Sequence, residues 1–147
     1  MAGQVFTVVH EITEAIFRLI REEPALVLLY GDLGVGKTHL VRQVLARFGA
    51  DRLVRSPSFV LLNLYDVDSG IRVGHLDLYR LLNTSDTSER IVEELGLTDY
   101  IGVIPLFIEW PQPIVDFLYY FKDAVPIYKV TITLDDQGIR RYELSRA

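Results

Sequence analysis

Apolar side chains recur with two periods along the chain and predict alternating helices and strands. Residues 10–23 carry aliphatic side chains at helical spacing, which predicts a helix that packs on one face and ends before Pro24. The aliphatic positions of this helix are Ile12, Ile16, Leu19 and Ile20. Residues 25–30, ALVLLY, show no polar alternation, which is typical of a central strand buried on both faces of a parallel sheet.

A second helix is predicted after the glycine-rich segment that follows this strand. Its apolar stripe consists of Leu40, Val41, Val44, Leu45 and Phe48. Gly49 is suited to end this helix, because glycine adopts the left-handed conformation without strain.

The rest of the chain predicts hairpins and short helices. Two strands flank the turn sequence DVDSG at 66–70, and such a hairpin makes the sheet mixed. Residues 86–96 form a capped helical pattern that stops at a glycine, and 103–109 form another apolar strand that ends in an acid. Residues 113–121 predict a short helix, and 127–144 predict a closing hairpin.

The segment GDLGVGKTH, residues 31–39, lies between the buried strand and the second helix. It contains the complete P-loop pattern Gly-x-x-x-x-Gly-Lys-Thr. Gly31, Gly34 and Gly36 allow positive φ angles and let the backbone approach a phosphate closely. The backbone amides then form a nest for an anion, reinforced by the positive end of the following helix.

Two side chains complete this pattern. Lys37 is placed to reach the β- and γ-phosphates, and the hydroxyl of Thr38 is placed to bind Mg²⁺. The strand–loop–helix context makes a chance glycine turn the weaker interpretation. We therefore predict an α/β fold: a single P-loop NTPase domain over residues 1–147, with a mixed, largely parallel central sheet flanked by helices, plus β-hairpins.

An acid should complete the Mg²⁺ shell, usually from the carboxyl end of another apolar strand. Glu109 closes the run IPLFIE, and Asp77 in HLDLYR is its rival. Either is also compatible with an ordinary solvated strand end. His75 shares the strand face of Asp77, although a lone histidine is more often structural. Trp110, the only tryptophan, is equally compatible with packing and with stacking on a nucleotide base.

The segment RSPSF at 55–59 holds the position of a γ-phosphate switch in many P-loop NTPases. Ser56 or Ser58 would there donate to the phosphate or to metal-bound water. A serine-rich turn around Pro57 explains the spacing equally well.

Composition narrows the classes of function. The chain has 147 residues and a net charge of −5, which disfavours direct, tight binding to a nucleic-acid backbone. It has no cysteine, which excludes disulfides and cysteine-ligated zinc. The sequence shows neither a membrane-length apolar run nor a signal-peptide pattern, so we expect no membrane partner and a cytoplasmic location.

The sequence disfavours other classes of P-loop protein. The N/T-K-x-D motif of GTPases is absent. The arginines considered for the lid of a small-molecule kinase are scattered, and they are Arg18, Arg42, Arg55, Arg80 and Arg90. Helicase and transporter ATPases need longer chains, so a minimal ATPase is left.

The order of the motifs resembles that of the bacterial TsaE family, the ATPases of tRNA threonylcarbamoyladenosine biosynthesis. YGDLGVGKT, SPSF, HLDLYRL, LGLTDY and FIEWPQ occur in the family's order and at nearly its spacing, between about Val5 and Gln112. HLDLYR and IEWP beside a P-loop are far more specific to this family than the loop alone.

The resemblance implies a Mg²⁺-dependent ATPase that is weak alone and binds a threonylcarbamoyl transferase heterodimer of the TsaB–TsaD type. ATP would lie at the interface, and its hydrolysis would reset the complex between turnovers of N6-threonylcarbamoyladenosine formation at adenosine 37. The tRNA would be contacted only through the complex.

The resemblance also assigns site residues by position. Thr38 and Glu109 match the Mg²⁺ ligands, and Asp77 and Ser58 match residues near the γ-phosphate. We therefore expect the chemistry to depend on Lys37, Ser58, Asp77 and Glu109. The residues expected to bind nucleotide are Gly31, Gly34, Val35, Gly36, Lys37, Thr38, His39, Trp110 and, at the amino-terminal edge of the site, Thr13 or His10.

Two positions depart from the family pattern. His39 stands where the family commonly has a threonine whose hydroxyl helps to hold the α-phosphate, and Val35 replaces the more usual alanine. Arg55 and Arg80 are the only arginines considered as activating residues in cis, so slow hydrolysis awaiting a partner is expected. The alternatives are a nucleotide-gated binding module with incidental hydrolysis and a small-molecule kinase.

Overall fold

The computed structural model describes residues 3–50, 60–67 and 70–147. The strands are β1 (Gln4–Phe6), β2 (Leu26–Tyr30), β3 (Leu62–Asp66), β4 (Arg72–Asp77), β5 (Leu106–Glu109), β6 (Ile127–Leu134) and β7 (Arg140–Arg146). The helices are α1 (Val9–Glu22), α2 (Lys37–Arg47), α3 (Ser88–Leu95) and α4 (Val115–Tyr119). In these ranges the strands form one sheet in the order β1-β7-β6-β2-β5-β4-β3.

The centre of the sheet is parallel and its edges are antiparallel. β2 pairs in parallel with both β5 and β6, and β4 extends the parallel part beyond β5. β3, β7 and β1 pair antiparallel at the two sides. The predicted α/β fold with a mixed, largely parallel sheet is therefore confirmed.

The central strand is buried on both faces, as its unbroken apolar run predicts. Val27 and Leu29 of β2 belong to the core under α1 and α2. Leu26 and Leu28 face the opposite core, which α3 and α4 cover. This double burial explains why the run lacks polar alternation.

The ends of the elements follow local chemistry. Pro24 lies two residues beyond the last residue of α1, as predicted. The Thr87 hydroxyl caps α3 by accepting the Arg90 amide at 3.3 Å, and Gly96 ends that helix with φ 63°. α4 is shorter than the predicted 113–121 helix. β1 was not predicted, because three residues are too few to show a period.

Close packing of β4 on β5 sets the geometry of the candidate site. A Cβ atom at Gly74 would overlap the Leu106 side chain, so glycine permits this approach. The register pairs Asp77 with Glu109 at the carboxyl ends of the two strands. Among the described residues, no helix combines the length and apolar character needed to cross a bilayer. The single-domain assignment for residues 1–147 stays a prediction.

Candidate nucleotide-binding site

A cleft of about 420 Å³ opens at the carboxyl ends of β2, β4 and β5. This edge is where open α/β sheets place their ligands. The cleft is lined by Leu33, Gly34, Gly36, Lys37, Thr38, His39, Leu61, Asp77, Tyr79, Arg80, Glu109 and Trp110. Most of the residues expected to bind nucleotide are therefore brought together with Asp77 and Glu109, although they come from three separate stretches of the chain.

The glycine-rich loop adopts the backbone conformations that its sequence predicts. Gly31, Gly34 and Gly36 have φ angles of 143°, 76° and 116°. Gly36 precedes α2, and no side chain caps the helix amides there. Amides that lack a side-chain cap at a helix start are available to an anion.

Lys37 is almost fully buried at the base of this loop. Its Nζ donates to the carbonyl oxygens of Gly31 at 2.6 Å and Asp32 at 2.9 Å, and lies 4.0 Å from the centre of the Trp110 ring. Burial lowers the pKa of Lys37, while Glu109 and other nearby carboxylates oppose the shift. The cleft thus contains a desolvated, positioned donor of the kind that binds a phosphate.

Two side chains, one from helix α2 and one from strand β4, contact the same oxygen of Glu109. The Thr38 hydroxyl donates to Glu109 Oε1 at 2.7 Å, and His75 Nε2 lies 2.8 Å from the same atom. With a carboxylate as its partner, Nε2 is assigned the proton. His75 is fully buried, and its Nδ1 has no hydrogen-bond partner within the described part of the chain. The carboxylate is therefore oriented from inside the protein as well as from α2.

Asp77 occupies the same edge but is only half-buried. Its Oδ1 accepts the Tyr79 amide at 3.0 Å. Desolvation raises the pKa of Asp77, with a smaller contribution of the same sign from Glu109. The two rival acids of the sequence thus lie in one cleft with different partners.

The donor set of Thr38 and Glu109 fits Mg²⁺. A hydroxyl and a carboxylate are hard oxygen ligands, and these two oxygens are already 2.7 Å apart. In the ranges described, no cluster of three or more acidic, histidine or cysteine side chains is placed to hold a metal by itself. The arrangement therefore suits a metal that arrives with phosphate and water ligands, rather than a cage made wholly of protein groups.

Trp110 has a strained backbone at the edge of the cleft. It is the one non-glycine residue with positive φ in the described ranges, at 55°. Its ring centre lies 5.1 Å from that of Tyr79, so the two rings and the Lys37 ammonium form one wall. Such strain is common at functional sites, where the surrounding packing holds it. Stacking of this ring on a nucleotide base stays a prediction.

Several expected residues lie elsewhere. The Thr13 hydroxyl is buried and donates to Val9 O at 2.7 Å within α1, and His10 is exposed on the same helix. Neither residue lines the cleft. Gly31 and Val35 line a neighbouring depression beside β6, whereas His39 is exposed and lines the cleft itself. Ser58 falls outside the described residues, and so does Arg55.

Three residues around the site are not among those expected from the sequence. His75 lies two residues before Asp77 on one strand face, and this spacing is the local signal for its place beside the site. No local pattern marks Tyr79, which packs on Trp110, or Arg140, whose Nε donates to Val35 O at 2.7 Å from 105 positions away.

Comparisons with known proteins agree on one family. A family profile described as "Threonylcarbamoyl adenosine biosynthesis protein TsaE" matches residues 6–142. A tRNA threonylcarbamoyladenosine biosynthesis protein TsaE from Haemophilus influenzae is 34% identical over 121 residues, which cover 76% of this chain and 73% of the relative. The protein of the same name from Bacillus subtilis is 35% identical over 143 residues, which cover 95% and 81%.

A solved structure shares the fold. The crystal structure of Bacillus subtilis YdiB superposes with a TM-score of 0.63 and 19% identity, covering 98% of this chain and 84% of that one. The fold rests on this likeness, and family membership rests on the sequence matches. By those matches, the chain belongs to the TsaE family.

Proposed function

We propose that this chain is a Mg²⁺-dependent ATPase that supports formation of N6-threonylcarbamoyladenosine at adenosine 37 of tRNA. The names of its relatives support the pathway. One observation carries the ATPase assignment: the Thr38 hydroxyl lies 2.7 Å from Glu109 Oε1, directly beside a complete P-loop and its buried lysine.

Different residues of the cleft bind the phosphates and the metal. The loop amides and Lys37 bind the phosphates of ATP, and Thr38 and Glu109 hold Mg²⁺. A bound Mg²⁺ would neutralise the negative charge that develops on the phosphoryl oxygens. Asp77 lies at the same edge of the sheet, and we propose that it acts near the γ-phosphate. Ser58 keeps the role near the γ-phosphate that the family resemblance implies and lies outside the described residues.

A weak intrinsic rate follows from the limited positive charge around the cleft. Lys37 and Arg80 are the only lysine and arginine among the described lining residues, and Arg80 is exposed. An arginine supplied in trans raises phosphoryl transfer by about 10³–10⁵-fold in other P-loop proteins. We propose that a transferase heterodimer of the TsaB–TsaD type supplies the missing stabilisation. The net charge of −5 favours contact with protein over direct contact with tRNA.

The decisive experiment is phosphate release from ATP by the purified chain, with and without the purified transferase heterodimer. We expect slow Mg²⁺-dependent release alone and a marked increase with the heterodimer. Lys122→Gln, which changes an exposed lysine that does not line the cleft, serves as a control and should behave as the unaltered chain.

Three outcomes would contradict the proposal. The first is a rate that the heterodimer leaves unchanged. The second is tRNA modification that continues for many turnovers with a non-hydrolysable ATP analogue, which would indicate a nucleotide-gated binding module. The third is transfer of phosphate to a metabolite instead of release to water, which would indicate a kinase.

A further inference from the structure

Arg140 connects the carboxyl-terminal hairpin to the phosphate loop. It is the first residue of β7, and its Nε donates to Val35 O at 2.7 Å. None of the ion pairs found in the described residues includes Arg140, so no carboxylate of those residues forms a salt bridge with it. Arg140 does not line the cleft, so it reaches the loop from outside the phosphate-binding face.

This contact fixes the direction of a whole peptide group. The carbonyl of Val35 and the N–H of Gly36 belong to one trans peptide unit, so they point in opposite directions. Because Arg140 holds the carbonyl towards the hairpin, the Gly36 N–H is directed away from the hairpin. A charged donor also polarises the peptide and strengthens the N–H as a donor.

The anchor acts beside a residue that has little steric restriction on its own backbone. Gly36 has a φ of 116°, and glycine crosses between backbone conformations at little steric cost. The guanidinium also packs directly on this glycine, since a Cβ there would lie 3.3 Å from Arg140 Nε. The arginine therefore constrains a residue that has no side chain of its own to do so.

The hairpin is a stiff support for this contact. β6 and β7 pair from Tyr128 with Arg146 to Leu134 with Arg140, and β6 is also paired with β2. In the connecting turn, Asp135 Oδ1 accepts the amides of Gln137 at 2.9 Å and Ile139 at 2.8 Å. Arg140 thus projects from a fixed point next to a braced turn.

The same hairpin meets the other end of the loop. A Cβ at Gly31 would lie 2.6 Å from the carbonyl oxygen of Ile132 on β6, so this end packs tightly on the strand. Both ends of the loop are therefore set by β6 and β7, which lie about a hundred residues away in the sequence.

We propose that Arg140 is a positioning residue of the phosphate loop, which holds the Val35–Gly36 peptide so that the Gly36 amide faces the nucleotide phosphates. This role rests on the proposed nucleotide binding and deepens it. It assigns to the carboxyl-terminal hairpin a part in ligand affinity, acting through the loop backbone and without contact with the ligand.

The test compares Arg140→Gln with Arg141→Gln by calorimetric titration with Mg²⁺–ADP and Mg²⁺–ATP. Arg141 is the next residue of β7 and points to the opposite face of the sheet, so its variant removes the same charge without touching the loop. We expect Arg140→Gln to weaken nucleotide binding by about tenfold, because a hydrogen bond to a charged group is lost. We expect Arg141→Gln to change it by no more than about twofold.

A second readout separates positioning from a general structural role. In ¹⁵N-labelled protein without ligand, the Gly36 amide proton should shift in Arg140→Gln and stay in place in Arg141→Gln. Arg140→Lys, which restores a charged donor, should recover part of the affinity. Thermal melting of each variant verifies that the fold persists.

The outcomes distinguish this role from the function on which it rests. If the unaltered chain binds no nucleotide, the proposed function fails and this role fails with it. If the unaltered chain binds nucleotide and Arg140→Gln binds it equally well, only the role of Arg140 is overturned. Equal losses in the Arg140 and Arg141 variants would also overturn it, since they would reflect net charge.

Discussion

His75 and Glu109 form an enclosed pair in which the imidazole Nε2 lies 2.8 Å from the carboxylate Oε1. Glu109 is 3% exposed and His75 is fully buried. They reach each other from adjacent parallel strands, β4 and β5. The histidine thus fixes the acid proposed to hold Mg²⁺, in the manner of the outer partners that orient metal ligands in other proteins.

Replacing His75 by leucine tests this orientation. The buried Glu109 oxygen then loses one of its two donors, so the apo protein should lose about 1–3 kcal/mol of unfolding free energy. The Mg²⁺ concentration for half-maximal ATP turnover should rise by about tenfold. Chemical denaturation measures the unfolding free energy, and Mg²⁺ titration of the ATPase rate measures the metal requirement.

A stability-matched control isolates the metal effect. Val92 belongs to the core on the α3 side and does not line the cleft, so Val92→Ala should open a cavity and destabilise the chain without changing Mg²⁺ dependence. His75→Gln, which keeps an N–H donor, should restore part of the metal affinity. An unchanged Mg²⁺ requirement in His75→Leu would mean that the pair serves packing alone.

Lys37→Ala should lose nearly all nucleotide binding, because the loop then lacks its one buried cation. The fluorescence of Trp110, the only tryptophan, measures nucleotide binding, since the Lys37 ammonium lies 4.0 Å from the centre of its ring. Mg²⁺–ATP should draw the ammonium towards phosphate and change tryptophan emission in the unaltered chain. Binding by Lys37→Ala at near-normal affinity would argue against phosphate recognition by this loop, and Lys122→Ala is the matched control.

Glu109→Ala should reduce turnover by about 10²-fold or more, since a bound metal supplies several kcal/mol of charge stabilisation during reaction. Nucleotide affinity should fall much less, because the loop amides and Lys37 remain. The comparison needs ATP affinity from calorimetry beside single-turnover rates. Equal losses of affinity and rate would count against Glu109 as a metal ligand.

Local patterns in the sequence predict the central elements and the phosphate loop. The run ALVLLY and the stripe from Leu40 to Phe48 each encode burial in their own period, and GDLGVGKTH encodes its own backbone conformations. Such features depend on neighbours within a few residues, so a single sequence suffices to predict them.

The contacts that the sequence did not predict depend on pairing between distant strands. The meeting of His75 with Glu109 follows from the register of β4 on β5, and the reach of Arg140 to Val35 follows from the place of the closing hairpin. Neither the register nor the order of the strands can be predicted from a local pattern. The place of Thr13 at the edge of the site stays a prediction, and its hydroxyl is bonded within its own helix.

Asp77→Asn should stabilise the apo protein at neutral pH while lowering ATP turnover. Desolvation raises the folded-state pKa of Asp77 above its ordinary value of 3.8, so folding disfavours the charged form. The stability that this group contributes is present below 3.8 and is lost as the pH rises through the raised pKa. Asparagine stays neutral and can still accept the Tyr79 amide.

Thermal melting of both proteins from pH 4 to pH 7 measures this effect. Asp77→Asn should melt about 1–3 °C higher than the unaltered chain at pH 7, a small gain because the carboxyl is half-solvated. The gain should shrink towards pH 4, where both side chains approach neutrality. Asp116→Asn, at an exposed position of α4, should show no such trend. A gain that is constant over this range would place its origin outside the ionisation of Asp77.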